Sequence, residues 1–165
     1  MTNVVIKVEA VQINMTGTAF MTCANRYREA AVTLASSKNK ENVFDPSIYF
    51  LFCLSLELHL KSYIWLHDQI GKDIIKKNYG HNIEKLWQHC KDKDIKKYVQ
   101  PTELRDHIIA LVGPYYRKRQ FNYLDIDMVF NGYKNLKSEP KTLPTLSKLT
   151  NQLGKSLRKP ILKAS

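Results

Sequence analysis

The stretch LSLELHLKSYIWL at 54–66 begins by alternating apolar and polar positions, as a half-buried strand would, yet it sits inside a much longer unpunctuated run. Asp45-Pro46 opens that run, with a side chain able to cap free amides and a proline whose missing N–H costs nothing in a first helical turn. No further Gly or Pro occurs before Gly71, and Ile64 is the only β-branched residue between 49 and 66. A strand of ~5–6 residues is far shorter than this, so the run predicts one long helix over about 46–70. At ~100° per residue, Glu57 and Lys61 share one narrow stripe with Asp68 below, and Ser55, His59 and Ser62 form another nearly opposite. Between the stripes lie two apolar sectors, Cys53/Leu56/Leu60/Tyr63/Ile64 and Leu51/Leu54/Leu58/Trp65. A helix apolar on two sides is packed on two sides, which makes this the central element.

The remaining rhythm is also helical. Phe20, Cys23, Ala24, Tyr27, Ala30, Ala31 and Leu34 predict a helix over 18–36, closed by the polar loop SSKNKEN. A lysine-rich connection then leads to Gly80, after which His81 or Asn82 can cap a helix carrying Ile83, Leu86 and Trp87. Thr102 caps another over 102–112, which Gly113-Pro114 is expected to break. Leu146, Leu149, Leu153 and Leu157 give an amphipathic helix at about 145–159 with Lys148, Lys155 and Lys159 on its reverse face. Residues 4–13 alternate weakly and suggest a short strand or arm. The expected fold is all-α, an antiparallel bundle of five to six helices in a single domain over 1–165, with an extension at 1–17, a core at 18–125 and a basic C-terminal extension at 126–165.

Charge changes this picture. The formal net charge is +11, and the excess is local: residues 72–97 carry eight lysines against four acids, and residues 132–165 carry eight basic groups against Glu139 alone. Such patches suit a phosphate-bearing partner. The three cysteines are odd in number and widely spaced, as in a reducing compartment. No secretory pattern is visible, and the most apolar run holds Glu57, His59 and Lys61 in its middle, unlike a bilayer span of ~20 residues. A cytoplasmic protein without membrane association is the expectation. No Gly-rich phosphate loop is present, and His81, His89 and Cys90 lack zinc spacing, so neither cofactor nor metal is expected.

Two constellations carry candidate chemistry. Glu57 and Lys61 are four apart on a helix flanked by apolar sectors, so they form either an internal ion pair completed by His81 or a tyrosine, or an open seam that binds a phosphate or base. YYRKRQFNY at 115–123 interleaves Arg117, Lys118 and Arg119 with Tyr115, Tyr116, Phe121 and Tyr123, which allows phosphate contacts and base stacking, or aromatics packed inward beneath solvated cations.

ELHLK at 57–61, followed about twenty residues later by GHNIEKL at 80–86, resembles the HEPN domain family. Glu57, Leu60 and Lys61 match its Glu-x-x-Leu-Lys signature; His81, Ile83 and Leu86 match its His-Asp-Leu-x-x-Leu signature, with Asn82 in place of Asp. The resemblance covers about 18–125. It implies a helical bundle, often a homodimer, with roles as ribonuclease toxins, phage-defence effectors, or RNA- and nucleotide-binding partners of nucleotidyltransferases. The family's ribonuclease branch uses an Arg followed, after four to six residues, by a His, and no arginine here has a His at that distance. The expected function is therefore RNA or nucleotide binding in a toxin–antitoxin or phage-defence setting, with an antitoxin or nucleotidyltransferase as a partner. The alternatives are a divergent metal-independent ribonuclease with a composite Arg/His site, using His107 with Arg105 or Arg117, and a non-catalytic dimerisation protein.

Overall fold

The computed structural model describes residues 16–37, 44–122 and 132–164. Within them the chain is all-α, with helices α1 (Gly17–Ser37), α2 (Pro46–Asp68), α3 (Lys72–Tyr79), α4 (Ile83–Asp92), α5 (Glu103–Arg117), α6 (Lys134–Lys137) and α7 (Thr142–Ala164), plus a 3-10 turn at Ile95–Lys97. The possible strand or arm at 4–13 lies outside the described residues.

The long run at 46–68 is helical, and Asp45 caps it by accepting from the Ser47 amide. α2 is the axis of the molecule, touching α1, α3, α4, α5 and α7. Its first apolar sector is sealed from water, while Leu51, Leu54, Leu58 and Trp65 are half-buried. The Ser55/His59/Ser62 stripe docks α1. The Ser62 hydroxyl donates to the Gly17 carbonyl and Ser55 to that of Ala24, both at 2.8 Å, so the two helices run antiparallel. His59 Nδ1–H donates to the Ser55 carbonyl at 2.9 Å, and its Nε2 lies 3.3 Å from the Asn25 side-chain amide. Burial lowers the His59 pKa to about 4. α7 reaches the same seam at Gly154, where a Cβ would lie 2.5 Å from Asn25 Oδ1 and 3.1 Å from His59 Nε2.

Four expectations need correcting. The helix count among the described residues is seven rather than five to six. The lysine-rich connection is itself a helix, α3, with Asp73 in its first turn, Lys76 and Lys77 in its last, and Ile75 as its buried anchor; that charge order suits the helix dipole. Gly113-Pro114 does not break α5, which runs on to Arg117. Proline near a C-terminus forfeits one bond, and the buried Tyr116 hydroxyl, donating to Glu57, holds the final turn in place. Finally, α7 extends over 142–164 rather than about 145–159. Leu146, Leu149, Leu153, Leu157 and Ile161 are fully buried, and α7 packs on α1, α2 and α5.

Candidate anion-binding cleft

Glu57 occupies the centre of α2 with almost no solvent contact, 2% exposed. A carboxylate there needs several donors, and it has three. Lys61 Nζ, one turn on, donates to Oε1 at 2.6 Å; Tyr116 from α5 and His81 Nδ1 from the α3–α4 turn donate to Oε2 at 2.6 and 3.0 Å. The acid–base pair thus faces the segment that opens at His81, with both candidate partners, histidine and tyrosine, engaged at once. Burial and the adjacent carboxylate push the Tyr116 phenol well above its ordinary pKa, so it acts as a permanent donor. Burial, with Glu57 nearby, likewise raises the Cys53 thiol and keeps it inert.

His81 bridges this buried cluster and the surface. Its side chain is 51% exposed, its ring meets Tyr116 edge to face at 6.1 Å, and Nε2 makes no hydrogen bond to the described residues. With Nδ1–H committed to Glu57, Nε2 is the ring nitrogen left facing the surface.

His81 and Arg119 lie where two open hollows adjoin. The larger, about 400 Å³, is walled by Phe20, Leu58 and Ile75 and rimmed by Lys61, Lys72, Lys76, His81 and Arg119. The smaller, about 300 Å³, is lined by Phe50, Leu54, Tyr116 and Asn122 together with His81 and Arg119. Among the described residues no carboxylate lines either hollow, and Lys72, Lys76 and Arg119 have no acidic partner. These three unpaired cations around an apolar wall, with Glu57 sealed and neutralised by Lys61, make a positive cleft with room for a flat ring.

Arg119 sits there in an unusual backbone state. The Gln120 amide donates to the Tyr115 carbonyl and the Arg119 amide to that of Tyr116, both at 2.9 Å, which is the Schellman ending of a helix. Arg119 occupies its left-handed position, φ 57°, where glycine is usual and an L side chain costs on the order of 1 kcal/mol. The residue kept at that strained corner is the cation that joins the two hollows.

The other expected residues are dispersed. Arg117 faces Glu84 at 3.4 Å, Lys118 is exposed away from the cleft, and Tyr123 lies outside the described residues. The aromatics of 115–121 pack inward. Tyr115 and Phe121 stack with each other and with Tyr133, in a cluster continued by Tyr49 and Phe44. Arg105 and His107 are not brought together as an acid–base pair. The Arg105 guanidinium donates to the Gln100 carbonyl and Gln152 Oε1, whereas His107 is exposed beside Glu139 at 3.8 Å; the intervening Asp106 is taken by Trp87 and Lys91 of α4. Lys72 and Lys76 belong to no motif that the sequence displays, because α3 carries a single buried apolar anchor, although the lysine excess of 72–97 marks that region.

No helix among the described residues is long and apolar enough to cross a membrane. No family model, no curated protein and no solved structure matches the chain.

Proposed function

We propose that this chain is a HEPN-like module that binds RNA or a nucleotide through the cleft at His81 and Arg119. The observation that supports this most directly is a rim of Lys72, Lys76 and Arg119, none with an acidic partner among the described residues, set around Phe20, Leu58 and Ile75 beside the Glu57-paired Lys61. Cations hold phosphate oxygens, and an apolar floor takes the face of a base. The toxin–antitoxin or phage-defence setting, the homodimer and an antitoxin or nucleotidyltransferase partner rest on the resemblance of Glu57-x-x-Leu60-Lys61 and His81 to the family signatures. Fluorescence anisotropy with labelled single-stranded RNA and with a labelled nucleoside triphosphate tests the reading. Binding weakens as salt rises, and Lys72→Glu/Lys76→Glu and Arg119→Glu each raise Kd at least tenfold without lowering Tm. Affinity that is absent at low salt, or indifferent to these reversals, sinks the proposal.

One observation favours a second reading, a metal-independent ribonuclease. His81 presents Nε2 toward a hollow rimmed by Lys72, Lys76 and Arg119, with Nδ1–H held by a buried carboxylate. That is the arrangement of a general base next to an electrophilic clamp. His81 would take the 2′-hydroxyl proton as that oxygen attacks the neighbouring phosphorus; the P–O5′ bond breaks, leaving a 2′,3′-cyclic phosphate, and solvent protonates the departing 5′-oxygen. Cleavage of labelled RNA that is lost in His81→Ala and unaffected by His107→Ala would establish it. RNA left intact by concentrated protein leaves the binding reading alone.

A further inference from the structure

Arg105 presents a problem that the cleft does not solve. It is 9% exposed, yet among the described residues no carboxylate lies within ion-pair distance of it. Removing a guanidinium from water without a counter-charge is costly, and buried arginines are ordinarily paired. Its two protein partners are neutral, the Gln100 carbonyl and Gln152 Oε1. A guanidinium has five N–H donors, so these contacts fix its plane and leave donors over. Burial alone lowers its pKa, with no neighbouring charge contributing.

Arg105 lies against a hollow of about 360 Å³ between the start of α5 and α7. Lys148, from the reverse face of α7, supplies a second cation to the same hollow, and Tyr98, Thr102, Thr145 and Ser156 supply hydroxyls; no acid among the described residues lines it. Thr102 Oγ already accepts the Arg105 amide at 3.3 Å, so the proton it still carries is available to a ligand. Two cations and several hydroxyl donors around a space this large match a small molecule bearing an oxyanion.

We infer that the hollow between α5 and α7 binds the phosphate or carboxylate group of a small molecule, with Arg105 as its fixed anchor and Lys148 as its second cation. The site is separate from the cleft. Arg105 and Arg119 flank opposite ends of α5, which at 1.5 Å per residue places them roughly 20 Å apart. The inference therefore does not rest on the RNA reading, and either can fail alone.

The test is an amide NMR titration of the full chain with inorganic phosphate and, separately, with acetate, at constant ionic strength and against chloride. The expected result is a saturable shift confined to residues 98–105 and 145–156 with at least one of the two anions. Saturation by phosphate points to a phosphorylated ligand and saturation by acetate to a carboxylate. Arg105→Gln abolishes it, Lys148→Glu weakens it at least tenfold, and Arg119→Glu leaves it unchanged. Lys148 is exposed, so its variant keeps the test open if Arg105→Gln fails to fold. The inference is overturned if neither anion gives saturable shifts at those residues, if chloride gives the same ones, or if Lys148→Glu binds as tightly as the parent.

Discussion

Glu57 accepts from α2, α5 and the α3–α4 turn simultaneously, so single replacements around it differ in what they strand. Glu57→Ala leaves Lys61 in a site where its side chain is 9% exposed and without its counter-charge, and should cost about 3–5 kcal/mol in urea denaturation. Tyr116→Phe removes one hydrogen bond to a charged acceptor and should cost about 1.5–3 kcal/mol. Glu57→Leu/Lys61→Met, which removes both charges, should recover most of the Glu57→Ala loss, because a buried pair roughly balances its own desolvation. His59 gives a second residue-level expectation. Its pKa is about 4 folded against an ordinary 6.5, so the unfolded chain takes up a proton first as pH falls. The resulting stability is present above pH 6.5 and is lost as pH drops toward 4, on the order of 3 kcal/mol in all. Denaturation at pH 7 and pH 5 should show that decline, and His59→Gln should flatten it. The Glu57–Lys61–His81 grouping was readable because helical phase and short spacing carry it. For Tyr116 the sequence leaves inward packing and base stacking both open, and a helix broken at Gly113-Pro114 does not aim its hydroxyl at Glu57.

Elements were readable where their own periodicity was strong and obscure where a neighbour decides. α1, α4 and α7 show 3.6-residue apolar spacing, while α2, whose 54–61 stretch alternates, is legible from Asp45-Pro46 and the absence of Gly and Pro up to Gly71. α3 has one buried apolar residue, Ile75, and its helicity depends on docking that residue rather than on any stripe. The continuation of α5 through Pro114 rests on the buried Tyr116–Glu57 bond, a contact between residues 59 apart that no local pattern displays. The approach of α1 to α2 depends equally on a residue with no side chain. A Cβ on Gly17 would lie 2.2 Å from the Trp65 ring, while the Gly17 carbonyl takes the Ser62 hydroxyl. Gly17→Ala must therefore push the ring or the helix aside, and should destabilise by about 1–3 kcal/mol. Gly71→Ala, with nothing within 4 Å of the added Cβ, is the matched control and should change stability by less than about 0.5 kcal/mol.

Charge is divided over the described molecule in a way that bears on where a polyanion would sit. The cleft gathers Lys61, Lys72, Lys76 and Arg119, whereas Arg26, Arg28, Lys155 and Arg158 line a separate groove of about 490 Å³ between α1 and α7. That groove also contains Glu29, 3.7 Å from Arg28, so its field is partly cancelled at home. A short strand seated in the cleft should then release counterions mainly from phosphates near α3 and Arg119. Each phosphate neutralised contributes about −0.7 to the slope of log K against log salt for single strands. Reversing Lys72 and Lys76 together should flatten the slope by about 1.4, if each meets one phosphate. Lys155→Glu/Arg158→Glu should flatten the slope for an oligonucleotide of about six residues by less than that, because Glu29 already offsets part of the charge in their groove. Equal flattening by both double variants would mean that the chain attracts RNA by its overall positive field, and the cleft would lose its claim to be the site.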